Sequence, residues 1–119
     1  MKLSLMVGER AYVATSYLLS DSSPIKGMRM ADIIKLVRAR KALQVFADAM
    51  EEVRKRLTSE NAAEKHEDGQ VILDAEGVEK YRLALAEEIE FEMEPFADDV
   101  LASIELPPAI GRDLAVLYA

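Results

Sequence analysis

The densest chemistry in this sequence is carboxylate. The stretch EEIEFEMEPF, residues 87–96, sets Glu88, Glu90, Glu92 and Glu94 at every second position, with Ile89, Phe91 and Met93 between them. A hard cation needs several oxygens converging at about 2.0–2.6 Å. Side chains on one strand face stand about 7 Å apart and point in parallel, so this run alone does not enclose an ion. A solvated or partner-facing acidic surface is the favoured reading, and no metal or other cofactor is expected.

Other catalytic chemistry is sparse. His66 is the single histidine and sits between Lys65 and Glu67 in a polar stretch. A general base needs a cleft and a partner, so an exposed loop position is the expected role. No G-x-S-x-G elbow accompanies the serines, and five scattered glycines build neither a phosphate loop nor a dinucleotide fingerprint. There is no cysteine, which removes disulfides and thiolate metal ligands. No enzymatic activity is expected.

The natural complement of the glutamates is a basic band. Lys26, Arg29, Lys35, Arg38, Arg40 and Lys41 crowd one segment against a single acid, Asp32. Such a band can grip phosphates, but the chain carries a net charge of −7, has only 6% aromatic residues and shows no helix-turn-helix spacing. Nucleic acid is therefore not the expected partner. The charge is split along the chain. Residues 1–59 hold eleven Lys/Arg and six Asp/Glu, whereas residues 60–119 hold four and sixteen. Halves of opposite sign either neutralise each other in one fold or meet complementary halves of a neighbour; internal neutralisation is favoured. The partner-contact residues are accordingly expected to be Glu88, Glu90, Glu92 and Glu94 together with Arg38, Arg40 and Lys41. The mechanism would be salt-sensitive charge pairing.

The elements that position these groups can be read from periodicity. At 119 residues, half of them hydrophobic, one domain spanning 1–119 with a real core is expected. KLSLM (2–6) alternates briefly, as a strand does, and the spacing from Gly8 to Leu19 is helical. SDSSP (20–24) is a turn, with Ser23 and Pro24 as N-cap and first helical residue of the next element. Leu36, Ala39, Leu43, Phe46, Met50, Val53 and Leu57 recur every three or four residues, so a long helix over about 28–58 is expected, with one coiled-coil-like seam. Met30, Ile33, Ile34 and Val37 form a second apolar patch, expected to touch another neighbour. Residues 58–69 read as a polar loop closing in Asp68-Gly69, and QVIL (70–73) as a strand. Asp74 is suited to cap a third helix over 75–88, with Val78, Tyr81 and Leu85 inward. That helix would fold back on the long one.

The opening stretch fits either a helix or a strand. Pro95 interrupts the helix, and Phe91 joins Ile89 and Met93 only on a strand face, so a strand over about 88–94 is favoured, paired with 2–6 or 70–73. Pro108 opens a last helix that turns Ile110, Leu114 and Leu117 to one side. The fold class is thus α+β and mainly helical: an antiparallel helical hairpin, shorter first and last helices and a small sheet of two or three strands.

This order of pieces resembles a group of small tailed-phage and prophage proteins, through KLSL, SPIKGMRMADIIKLVRARKALQVFADAMEEV, EDGQVILDAEGVEKYRLALAEEIEFEME and LPPAIGRDLAVL. The resemblance is one of pattern and brings no catalytic residues. It implies a phage structural or assembly protein acting by protein–protein contacts. Its partners would be other phage proteins or copies of itself, in the host cytoplasm or on the virion. The alternative is an acidic, antitoxin-like regulator that occupies the nucleic-acid site of a host protein, motivated by the acidic second half. No run approaches the length of a membrane span.

Overall fold

The computed structural model describes residues 1–21 and 26–119. It is α+β and mainly helical. Strand β1 (Lys2–Ser4) leads into α1 (Leu5–Leu19) and the long α2 (Met30–Glu60). A ribbon of β2 (Ala62–Lys65) and β3 (Val71–Leu73) follows. Then come α3 (Ala75–Ala86), β4 (Glu88–Glu90) and α4 (Pro108–Leu114), with a closing 3-10 turn at Ala115–Leu117. The described residues extend 48 × 30 × 21 Å.

α2 organises everything else. Leu36, Ala39, Leu43, Phe46, Met50 and Leu57 are all buried, and Val53 partly so. Thirty-one residues cannot hide such a stripe alone, so neighbours must cover it. The chief cover is α1, running antiparallel to α2: Glu9 pairs with Arg54, Gly8 lies on Phe46, and the Tyr12 hydroxyl donates to Gln44. Leu5, Ala11, Ala14 and Leu18 supply the α1 side of the core. α3 folds back beside the C-terminal end of α2. Asn61 there is bound both by Lys80 and, through its own amide nitrogen, to Asp74. The hairpin expected between α2 and α3 is therefore present, but α1 covers more of the seam.

Local signals explain most boundaries. α1 starts at Leu5, earlier than its apolar spacing suggests, because the Ser4 hydroxyl accepts from the Val7 amide and caps it. That shortens the expected strand 2–6 to 2–4. Asp74 caps α3 by accepting from the Gly77 amide at 2.7 Å. Pro108 opens α4, as expected. The Ser23–Pro24 cap lies outside the described residues; α2 itself begins at Met30, with Arg29 at the N-cap position.

The strands fall into two separate antiparallel pairs, β1 with β4 and β2 with β3. The polar stretch 58–69 is not all loop. Residues 58–60 finish α2, and Ala62–Lys65 pairs with Val71–Leu73 across the Asp68-Gly69 turn. Gly69 has φ +88°, a conformation side chains resist, and the His66 and Gln70 backbones close the turn. β2 leaves no apolar alternation in the sequence because it is almost wholly exposed.

Two expected contacts are absent among the described residues. Val78 faces solvent; Gly77 is the α3 position pressed against Asn61. The second α2 patch is largely uncovered among the described residues: Met30 is 72% exposed, Ile34 50% and Val37 45%, and only Ile33 is partly buried. At 100° per residue these lie on the side of α2 opposite the buried seam, which α1 and α3 do not reach.

Candidate functional site

The acidic stretch begins as β4 and runs on beyond it. β4 pairs with β1 in the register Ser4–Glu88, Leu3–Ile89 and Lys2–Glu90. Phe91 extends the ladder, exchanging both backbone hydrogen bonds with Met1 at 2.9 Å. Burial alternates through the segment: Phe91 is buried and Ile89 and Met93 partly so, while Glu88, Glu90, Glu92 and Glu94 are exposed. The strand-like division into an apolar and an acidic face therefore holds to Glu94, although the assigned strand ends at Glu90. Phe91 anchors the segment edge-on against Phe46, with ring centroids 5.0 Å apart. Phe96 anchors the far end, bonding to Leu117 and Ala119 and meeting Tyr118 edge-on.

Between these anchors, residues 92–97 and α2 enclose a groove of about 330 Å³. Ala39, Ala42, Met93, Phe96 and Val100 form its apolar part, with Lys35 and Arg38 on one side and Glu92 and Glu94 on the other. The structure thus brings Arg38 to the same groove as two of the four glutamates. Arg40 is not brought there, since it lies about 200° round the helix from Arg38. Lys41 sits in the middle of the exposed row Met30, Ile34, Val37 and Val45. Position 45 follows 41 by four residues, so these five side chains form one basic-centred apolar stripe.

No ion pair joins the glutamates of 88–94 to Lys35, Arg38, Arg40 or Lys41 among the described residues. The ion pairs present stay within each half of the chain, such as Arg29–Asp32 in the first and Arg82–Glu79 in the second. Among the described residues, then, no ion pair joins the two halves, and Lys35 and Arg38 share only a groove with Glu92 and Glu94. His66 is an exposed turn residue, 3.4 Å from Glu64. Among the described residues no group of three or more His, Asp or Glu converges as metal ligands would.

The most perturbed titratable groups lie elsewhere, at the start of α2. Asp32 is fully buried. Arg29 Nε and Nη2 donate to its two oxygens at 3.2 and 3.1 Å, and Nη2 also donates to the Asp99 carbonyl at 2.8 Å. The Arg29 hydrogen bonds, helped by the Leu101 amide, hold the Asp32 carboxyl below the usual carboxylate range despite its burial. Leu101 itself has φ +64°, unusual for a bulky residue. The Tyr118 hydroxyl donates to the Val100 carbonyl at 2.8 Å, and burial next to the Asp32 charge pushes its pKa up. These contacts clamp the 96–104 turn and the last residues to α2. In the sequence, the clamp shows only as a lone acid in a basic band.

No family model, curated protein or solved structure matches this chain. No helix among the described residues is long and apolar enough to cross a membrane.

Proposed function

We propose that this chain is a non-enzymatic interaction protein that works by binding other proteins. Its contact surfaces are the acidic segment Glu88–Glu94 and the outer face of α2, with Arg38, Arg40 and Lys41. The observation that carries the reading is the exposed stripe Met30, Ile34, Val37, Lys41 and Val45, opposite the buried seam of the same helix. Single exposed apolar residues are ordinary, but a contiguous row ringed by charge is characteristic of protein contact surfaces. The cationic flanks and the acidic segment add complementary potentials of the kind that steer and orient association. The resemblance to tailed-phage proteins makes other phage assembly proteins, or further copies of this chain, the partners to try first.

The test is absolute mass by light scattering at about 50 mM and about 500 mM salt, which brackets strong and weak screening of exposed charges. A multimer that dissociates in high salt supports charge-led assembly. A salt-indifferent multimer supports the apolar stripe. A monomer at both salts removes self-association, and failure to bind any co-expressed phage protein as well overturns the reading.

A further inference from the structure

The hydrogen-bonding pattern of β4 leaves one of its two edges open. In an antiparallel pair, every second residue turns both backbone groups toward its mate and the residues between turn theirs away. The Leu5 amide donates to the Glu87 carbonyl, and Met1 and Phe91 exchange bonds. The odd positions 87, 89 and 91 therefore face β1, and Glu88 and Glu90 direct their amides and carbonyls outward. Continued through the burial alternation, the same rule turns Glu92 and Glu94 outward too. Among the described residues, none of these four makes a hydrogen bond or an ion pair. The acidic face and the unpaired edge are thus carried by the same four residues.

We propose that this edge accepts an extended segment of another protein as an added strand, with Lys or Arg at every second position of that segment. The inference rests on the interaction reading above and names its partner chemistry. Directly opposed residues in an antiparallel pair place their side chains on the same face, so residues bonded to Glu88, Glu90, Glu92 and Glu94 meet carboxylates. Basic side chains fit there. A second copy's identical edge does not, because it would set glutamate against glutamate. The intervening side chains of the segment fall on the face of Ile89 and Met93 and are best apolar. At the Glu92–Glu94 end, the groove gives the added strand room. Lys35 and Arg38 line the same groove, so the added strand's far edge faces basic side chains. Main-chain bonds would supply affinity, and the alternate carboxylates would supply selectivity.

The experiment uses the full chain and three synthetic heptapeptides that alternate Lys and Val: one unmodified, one N-methylated on its Lys residues and one N-methylated on its Val residues. In the added strand the Lys amides face the edge and the Val amides face away. Methylation at Lys should weaken binding about tenfold or more by removing those donors, and methylation at Val should leave it close to the parent. Binding of the unmodified peptide should also slow amide hydrogen exchange at Glu88, Glu90, Glu92 and Glu94. Equal binding of the two methylated peptides, or binding without slowed exchange, overturns strand addition while leaving a charge-led protein contact standing. No binding of any peptide overturns the inference, and the reading beneath it is judged separately by the mass measurement.

Discussion

The ring of Phe46 occupies the space in which a side chain at position 8 would begin. Gly8 is buried in α1 and Phe46 is fully buried in α2, so this contact sets how closely the two helices approach. The same ring meets Phe91 in an edge-to-face contact, with centroids 5.0 Å apart. One aromatic side chain therefore connects the helix pair to the root of the acidic segment.

Gly8→Ala should accordingly destabilise the fold, although alanine is the better helix former by roughly 1 kcal/mol. The methyl group overlaps a ring that cannot move without disturbing Phe91. Overpacking of this kind costs about 1–3 kcal/mol. Urea unfolding should show a lower midpoint with an unchanged slope. A midpoint at or above that of the parent would mean that the ring finds another place.

The Asp32 clamp makes stability depend on pH in a defined direction. Its folded pKa is depressed, so the stability it confers is complete above the unfolded carboxylate value of about 4 and fades as pH falls through the lower folded value. Tyr118 works at the other end. Its folded pKa is raised, so its contribution is complete below about 10 and is lost as pH rises through the folded value. Asp32→Asn should cost about 1–3 kcal/mol at neutral pH, as expected for a buried site with a lost charge-assisted bond. The gap between variant and parent should narrow below about pH 4. A gap of constant size from pH 7 to pH 3 would show that packing, not charge, is what Asn disturbs.

The two faces of α2 should respond oppositely to substitution. Leu43→Ala empties part of the core and should cost about 2–5 kcal/mol. Ile34→Glu and Val37→Glu lie on the exposed stripe and should change stability by no more than about 0.5 kcal/mol. If the stripe is a contact surface, these same variants should lower the mass or abolish partner capture. Thermal melting and light scattering on one set of samples separate the two effects. A stripe variant that melts like the parent and assembles like it removes the stripe from the contact.

What could be read in advance divides along physical lines. The α2 seam was legible because seven apolar residues repeat at helical spacing; Asp74 marked its helix start by capping and Pro108 by its fixed φ in the first turn. The inward series Ile89, Phe91 and Met93 was legible through its period of two. β2 was not, because an exposed two-stranded ribbon is held by backbone bonds that leave no apolar trace. Nor was the Arg29–Asp32–Leu101 clamp, which joins the start of α2 to a distant left-handed leucine. The Met30–Val37 patch shows the reverse error: its periodicity marked a face correctly but not whether anything covers it. Among the site residues, Arg38 could be paired with Glu92 and Glu94 by charge alone. That Arg40 faces elsewhere follows only once the buried side of the helix is fixed.

Charge reversal in the acidic segment gives the sharpest test of the contact assignment, provided the register is respected. Glu90 lies across from Lys2 on β1, so Glu90→Lys sets two like charges opposite each other and should cost about 0.2–1 kcal/mol in its own right. Glu92 and Glu94 lie beyond the last β1 pair, and their carboxylates are exposed. Their reversal brings lysines toward Lys35 and Arg38 across open solvent, where screening keeps the penalty small. The doubly reversed Glu90/Glu92 protein should therefore fold with slightly reduced stability and assemble more weakly. The Glu92/Glu94 pair should weaken assembly with almost no change in melting. Both losses should shrink at high salt, since the parent's charge contacts are already screened there. Assembly unchanged by either pair would remove the acidic segment from the contact, whereas a collapse in circular dichroism would mean that these glutamates serve the fold.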